Sequence, residues 1–137
     1  MRSTIAAKPP FALIAGDALV LLLVTWAGFG THGESIFTPR WLATFLPLCV
    51  GWGLAAPWLG LYRPDMAVRA AQVWRVLVAM LLAGPLATWL RGLILNAPIL
   101  PVFVIVLTGV AGLGMLLWRL LFTWIVNLQA SRKIPNG

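Results

Sequence analysis

The sequence predicts an all-α, polytopic membrane protein: one domain over residues 1–137 with four transmembrane helices and both termini in the cytoplasm. Three observations carry that expectation. Hydrophobic residues make up 61% of the chain and charged ones only 9%, which excludes an ordinary soluble domain. The apolar residues gather into four runs near the ~20 residues that cross a bilayer, parted by short polar turns. The basic residues fall almost wholly on one side once those runs alternate across the membrane.

The first span is expected over about residues 11–30, entered through Pro9 and Pro10 and carrying one charge, Asp17. Arg2 and Lys8 ahead of it, with Ala27 and Gly28 near its end, imitate a secretory signal, but the apolar runs that follow argue for a retained span. The polar turn Thr31, His32, Gly33, Glu34 and Ser35 closes it. A second, uncharged span over about residues 41–61 contains Pro47 and Pro57, each of which removes a backbone donor, so a bend is expected. The connector from Tyr62 to Arg69 is polar and reads as a loop.

The third span, about residues 73–95, holds an uncharged stretch between Arg75 and Arg91 that is short for the ~30 Å hydrocarbon core. Both arginines are therefore expected at the interfaces, and Gly84 with Pro85 predicts a kink. The fourth span, about residues 99–126, follows Asn96 and Pro98 and is interrupted only by Arg119. It exceeds the minimum length, to be absorbed by tilt or by last turns that leave the hydrocarbon. Four spans leave no room for a separate soluble domain.

On the side of the N terminus lie Arg2, Lys8, Arg63, Arg69, Arg75, Arg119, Arg132 and Lys133; the other side has only Arg40 and Arg91. Positive charge stays inside, which places both termini in the cytoplasm of a multi-pass cell (inner) membrane protein. The net charge of +7 serves this topology, with no basic and aromatic stripe of the kind that binds nucleic acid. Cys49 is alone in an apolar run and reads as a small core hydrophobe.

The intramembrane charges need an explanation, because an ionised carboxylate inside a span demands a partner or a proton. Asp17, Arg75 and Arg119 lie at similar depth, which predicts a polar cluster joining the first, third and fourth spans. Structural pairing is favoured over a proton or ion relay, since a carboxylate between two arginines stays ionised. A second, outer cluster is expected from His32, Glu34, Arg40 and Arg91, with capping, salt bridging and headgroup contact as its roles. No metal site is expected, since a catalytic zinc takes three protein ligands. One imidazole suffices to ligate a haem or chlorin from one face, and His32 is the residue that would do so. Beyond that option and a bound lipid, no cofactor is called for. Eight tryptophans, mostly toward span ends, read as an aromatic belt. Ala12 with Gly16, Gly51 with Ala55 and Thr108 with Gly112 are small pairs spaced for close helix approach, within the chain or against another subunit.

The order and spacing of Gly16-Asp17, His32-Gly33-Glu34, Arg91-Gly92, Phe103 in its apolar run and Trp118-Arg119 resemble a bacterial and archaeal family of small four-span membrane proteins of unknown function. In that family the turn before the histidine is basic, whereas here Gly28, Phe29, Gly30 and Thr31 precede His32. The resemblance implies a four-helix fold and carries no activity with it.

An enzyme is not expected, for want of a nucleophile with a base, paired carboxylates or a multi-ligand metal set. The expected function is a non-catalytic membrane subunit or accessory factor, surrounded by the lipid bilayer and packed against other membrane-protein subunits of a larger complex, with photosynthetic and respiratory assemblies as candidates. The alternative is a small solute or ion carrier or channel using the Asp17 cluster, with the prolines of spans two and three lining a broken-helix cavity. Reporter fusions at Gly137 and beside Ser35 should report opposite sides of the membrane; signals from the same side would exclude four spans.

Overall fold

A computed structural model describes residues 11–67 and 69–133. The elements are α1 (Phe11–Thr31), α2 (Leu42–Trp58), α3 (Pro64–Ala67), α4 (Trp74–Leu95) and α5 (Pro101–Arg132), with 3-10 turns at Pro39–Trp41 and Ala70–Gln72. Among the described residues, α1, α2 with its leading turn, α4 and α5 are the four helices long and apolar enough to cross a membrane. At 1.5 Å per residue the 21 residues of α1 and 22 of α4 reach about 32 and 33 Å, matched to a ~30 Å core. The 32 residues of α5 reach about 48 Å and overshoot it. Arg2, Lys8, Pro9, Pro10 and Gly137, on which the sequence expectations also drew, lie outside the described residues.

Two expected boundaries shift for local reasons. The fourth span begins as a helix only at Pro101, whose missing N–H is no loss in a first turn, and then continues to Arg132. The second helix stops at Trp58 instead of running to Leu61. Gly60 has φ +74° there, and the N–H groups of Gly60 and Leu61 donate to the carbonyls of Pro57 and Ala56 at 3.0 Å each. That pairing is a Schellman cap, which uses glycine because a Cβ disfavours the left-handed region. It turns Leu61 inward beside Ala56, both buried.

The same device ends α1. Gly33 (φ +68°) and Glu34 donate to Gly30 and Phe29 at 3.2 and 3.0 Å, so the His32-Gly33-Glu34 motif is a helix stop. Asn96, left-handed at φ 48° and ψ 48°, ends α4, and Gly92 accepts the N–H groups of both Asn96 and Ala97. Pro47 and Pro85 lie inside α2 and α4, and each element runs as one helix through its proline.

Packing follows the antiparallel order of the spans, with α2 against α4, α4 against α5, α5 against α1, and a lighter contact of α1 with α2. The buried stripe of α1 is one residue wide, Leu13, Asp17, Leu21 and Thr25. In α4 it is broader, with Val76, Ala79, Met80, Ala83, Gly84, Ala87 and Thr88 buried, because α4 packs against both α2 and α5. Large apolar side chains such as Leu54, Leu81, Val102, Ile105 and Leu117 face outward, as a lipid solvent permits.

Small residues set the approach of α2, α4 and α5. A Cβ on Gly51 would stand 2.7 Å from the carbonyl oxygen of Ala83, and one on Gly84 would overlap the Thr108 side chain. A Cβ on Gly112 would meet Leu77 and Met80 at an ordinary 3.6 Å. Ala55 is buried with Gly51, whereas Ala12, a turn before Gly16, is exposed. Gly51→Ala should therefore cost about 1–3 kcal/mol through overpacking against backbone, while Gly112→Ala should be tolerated. Thermal unfolding in detergent checks the pair; equal midpoints for the two variants would refute the close α2–α4 contact.

Candidate functional site

The four-residue spacing that buries Leu13 and Leu21 carries Asp17 into the bundle between them, and the spacing of Ala111, Met115 and Thr123 does the same for Arg119. Asp17 is 1% exposed and Arg119 is 3%. Arg119 engages both carboxylate oxygens, from Nη2 to Oδ2 at 2.7 Å and from Nε to Oδ1 at 3.2 Å. This two-point geometry is what makes a buried ion pair tolerable.

Three further donors close around the carboxylate. Trp118 Nε1 donates to Oδ1 at 2.9 Å, Trp52 Nε1 to Oδ2 at 3.1 Å, and the Tyr62 hydroxyl to Oδ2 at 2.5 Å. Trp52 also donates to the Tyr62 oxygen at 2.9 Å. The Arg119 guanidinium lies 5.2 Å from the Tyr62 ring centroid and 5.9 Å from that of Trp52, a cation beside two π faces. Gly16 makes room for the Trp118 indole, which a Cβ at that position would overlap. Gly16-Asp17 and Trp118-Arg119 are thus two halves of one contact between α1 and α5.

The Schellman turn after α2 supplies the remaining acceptor. Leu61 presents its carbonyl to Arg119 Nη1 at 2.9 Å, and the Leu59 carbonyl accepts Arg75 Nη1 at 3.0 Å. Two arginines therefore hold carbonyls at the C-terminal end of α2, where the helix dipole favours cations. Of the three charges expected together, the structure joins Asp17 and Arg119 and takes Arg75 to the α2 turn, with its guanidinium 5.5 Å from the Trp74 ring. Similar depth sets level along the membrane normal and leaves the azimuth around the bundle open.

At the opposite end the expected outer cluster divides. Glu34 and Arg40 form an exposed pair at 3.8 Å. Arg91 donates instead from Nε to Thr44 Oγ1 at 2.9 Å and lies 4.7 Å from the Phe103 ring centroid. His32 is exposed on the cap of α1, at the rim of a cleft of about 610 Å³ that Arg91 and Glu34 also line. Among the described residues no three His, Cys, Asp or Glu side chains are grouped to hold a metal ion.

A family model described as "Protein of unknown function (DUF3054)" matches residues 14–122, a stretch that contains Asp17 and all its donors. The chain belongs to the DUF3054 family. No curated protein and no solved structure matches it. In this DUF3054 chain the functional side chains that sequence reasoning passes over are Trp52, Trp118 and Tyr62. The aromatic-belt reading covers Trp52 and Trp118, and the loop reading covers Tyr62. Two signals pointed to them: Trp52 lies mid-span in an uncharged helix, and Trp118 directly precedes the one arginine of its span.

Asp17→Asn leaves Arg119 buried without a counter-charge and should destabilise the protein by about 3–5 kcal/mol. Adding Arg119→Gln should recover part of that loss in a double-mutant cycle of unfolding midpoints; strictly additive losses would refute the pairing. Tyr62 is the sole tyrosine, so an alkaline spectrophotometric titration reads it alone. Burial first, then the Asp17 charge and its hydrogen bond, push the phenol above its ordinary value of 10.0. Because the folded value is raised, this contribution to stability is complete below the unfolded value near pH 10 and is lost as pH rises through the folded one. Tyrosinate absorbance should therefore stay absent past pH 10 until the protein unfolds.

Proposed function

We propose that the chain is a non-catalytic subunit or accessory factor of the cell (inner) membrane, with both termini in the cytoplasm, packed against a larger membrane assembly of the photosynthetic or respiratory kind. The observation that carries this is the saturation of Asp17. Five hydrogen bonds from four side chains surround its carboxylate, which leaves that carboxylate no open position for a substrate or a moving proton. Such a centre fixes helices in place.

Support for a partner comes from the outer faces. Gly53 on α2 and Gly109 on α5 have nothing within 4 Å of where a Cβ would stand, and both lie among exposed apolar side chains. Notches of this kind admit the ridge of another helix. The orientation rests on Arg63, Arg69 and Arg75 at the Asp17 end, against Arg40 and Arg91 at the other. A carrier working through Asp17 is disfavoured, because its carboxylate oxygens are already engaged by donors of four side chains of the same chain.

Purification of a tagged chain in mild detergent should bring down other membrane polypeptides in fixed ratio. A chain that runs alone and drives ion flux in liposomes, with the flux abolished by Asp17→Asn, would overturn the accessory role in favour of a carrier.

A further inference from the structure

We infer that the cleft at the Arg91 end is a binding site for one anionic phospholipid, its phosphate held by Arg91 and its acyl chain lying between α1 and α5. This goes beyond the accessory role and needs no protein partner, so either can fail without the other.

The polar groups of the cleft are almost all engaged. Thr25 donates to the Leu21 carbonyl at 2.8 Å, and Thr88 to Gly84 and Pro85 at 3.0 and 2.8 Å, so both hydroxyl protons are committed to backbone. Glu34 is paired with Arg40. Arg91 differs. Its Nε is fixed by Thr44 and its plane rests near the Phe103 ring, while its two terminal nitrogens carry no hydrogen bond to any described residue. Four N–H donors are therefore positioned on a half-buried guanidinium beside an apolar slot, a geometry that fits phosphate oxygens at two points.

Depth and charge agree with that occupant. Arg91 lies one turn, about 6 Å, before the end of α4, the level where headgroups meet hydrocarbon. Trp26 and Trp41, in edge-to-face contact at 5.7 Å, mark the same level on α1 and before α2. Below it the slot is walled by Val24, Val106, Leu107 and Val110, which offer an acyl chain nothing polar. The volume of about 610 Å³ is far beyond what a few waters fill. Arg40 and Arg91 against Glu34 leave a net positive charge for the incoming anion.

The test uses the full chain in detergent, with native mass spectrometry and thermal shift against added phosphatidylglycerol, phosphatidylcholine and inorganic phosphate. Phosphatidylglycerol should give a one-to-one adduct and a raised unfolding temperature. Arg91→Gln should weaken that binding on the order of tenfold or more, the scale of a lost charge-assisted hydrogen bond. Val106→Trp keeps the arginine but fills the slot, and should weaken binding as well; Arg63→Gln, at the other end, should not. Should Arg91→Gln fail to fold, Val106→Trp alone decides. Equal shifts from phosphatidylcholine would overturn the anionic headgroup, and equal shifts from inorganic phosphate would overturn the acyl slot. Unchanged adducts in both cleft variants, or none in the unaltered chain, would overturn the site.

Discussion

The bundle is organised around one buried ion pair. Asp17 and Arg119 are both nearly inaccessible, in surroundings where an isolated charge would cost several kcal/mol, so each is tolerable only with the other. The pair fixes more than charge. The packed stripe of α1 is a single file of residues, and Asp17 is the member of it that bonds directionally to α2, α5 and the turn between α2 and α4. It sets the rotation of α1 and its height in the membrane together. Gly16, the Trp118 indole and the Gly60 turn then become necessary accompaniments, each required for a donor to reach the carboxylate.

The two ends of the molecule differ in what they leave unengaged. At the Asp17 end the carboxylate is bound at two points by the Arg119 guanidinium, and Arg119 and Arg75 each give one further donor to a backbone carbonyl. Among the described residues at the Arg91 end, the ion pair of Glu34 with Arg40 is long and exposed, and the guanidinium of Arg91, set deeper, holds a single hydroxyl. One end resembles a closed joint and the other a socket. Recognition is thus better suited to the second, where donors are already oriented and no internal bond must be broken to use them.

Much of the architecture was legible because hydropathy over some 20 residues is a sum of many small terms, which single residues rarely overturn. The ends of helices depend on single residues, and there the expectation slipped: Gly60 stops α2 three residues early, and Pro101 delays α5. The meeting of Asp17 with Arg119 could be reasoned from cost and depth. The swing of Arg75 to Leu59 could not, since depth fixes one coordinate of three. The spacing of Ala12 and Gly16 likewise says that two residues share a face, without saying how far along it the neighbouring helix extends. Trp52 and Trp118 were hidden by a habit of their own residue type, because indoles usually sit at the headgroup level and these turn their N–H groups inward.

The sequence distance across the ion pair has a consequence for how the protein is made. Asp17 and Arg119 are 102 residues apart, and every other donor to Asp17 also lies downstream of it. At ~5–20 residues per second, a ribosome needs on the order of 5–20 s after completing Asp17 to deliver the guanidinium. During that interval α1 carries a carboxylate without the guanidinium that pairs it in the fold, at a cost of up to ~2.5–3.5 kcal/mol in lipid. The first helix made is therefore the last to gain its ion pair, with only Trp52 and Tyr62 able to reach its carboxylate before α5 arrives. Nascent chains cut short before Trp118 and Arg119 would keep two of the five bonds to Asp17 and lack its ion pair.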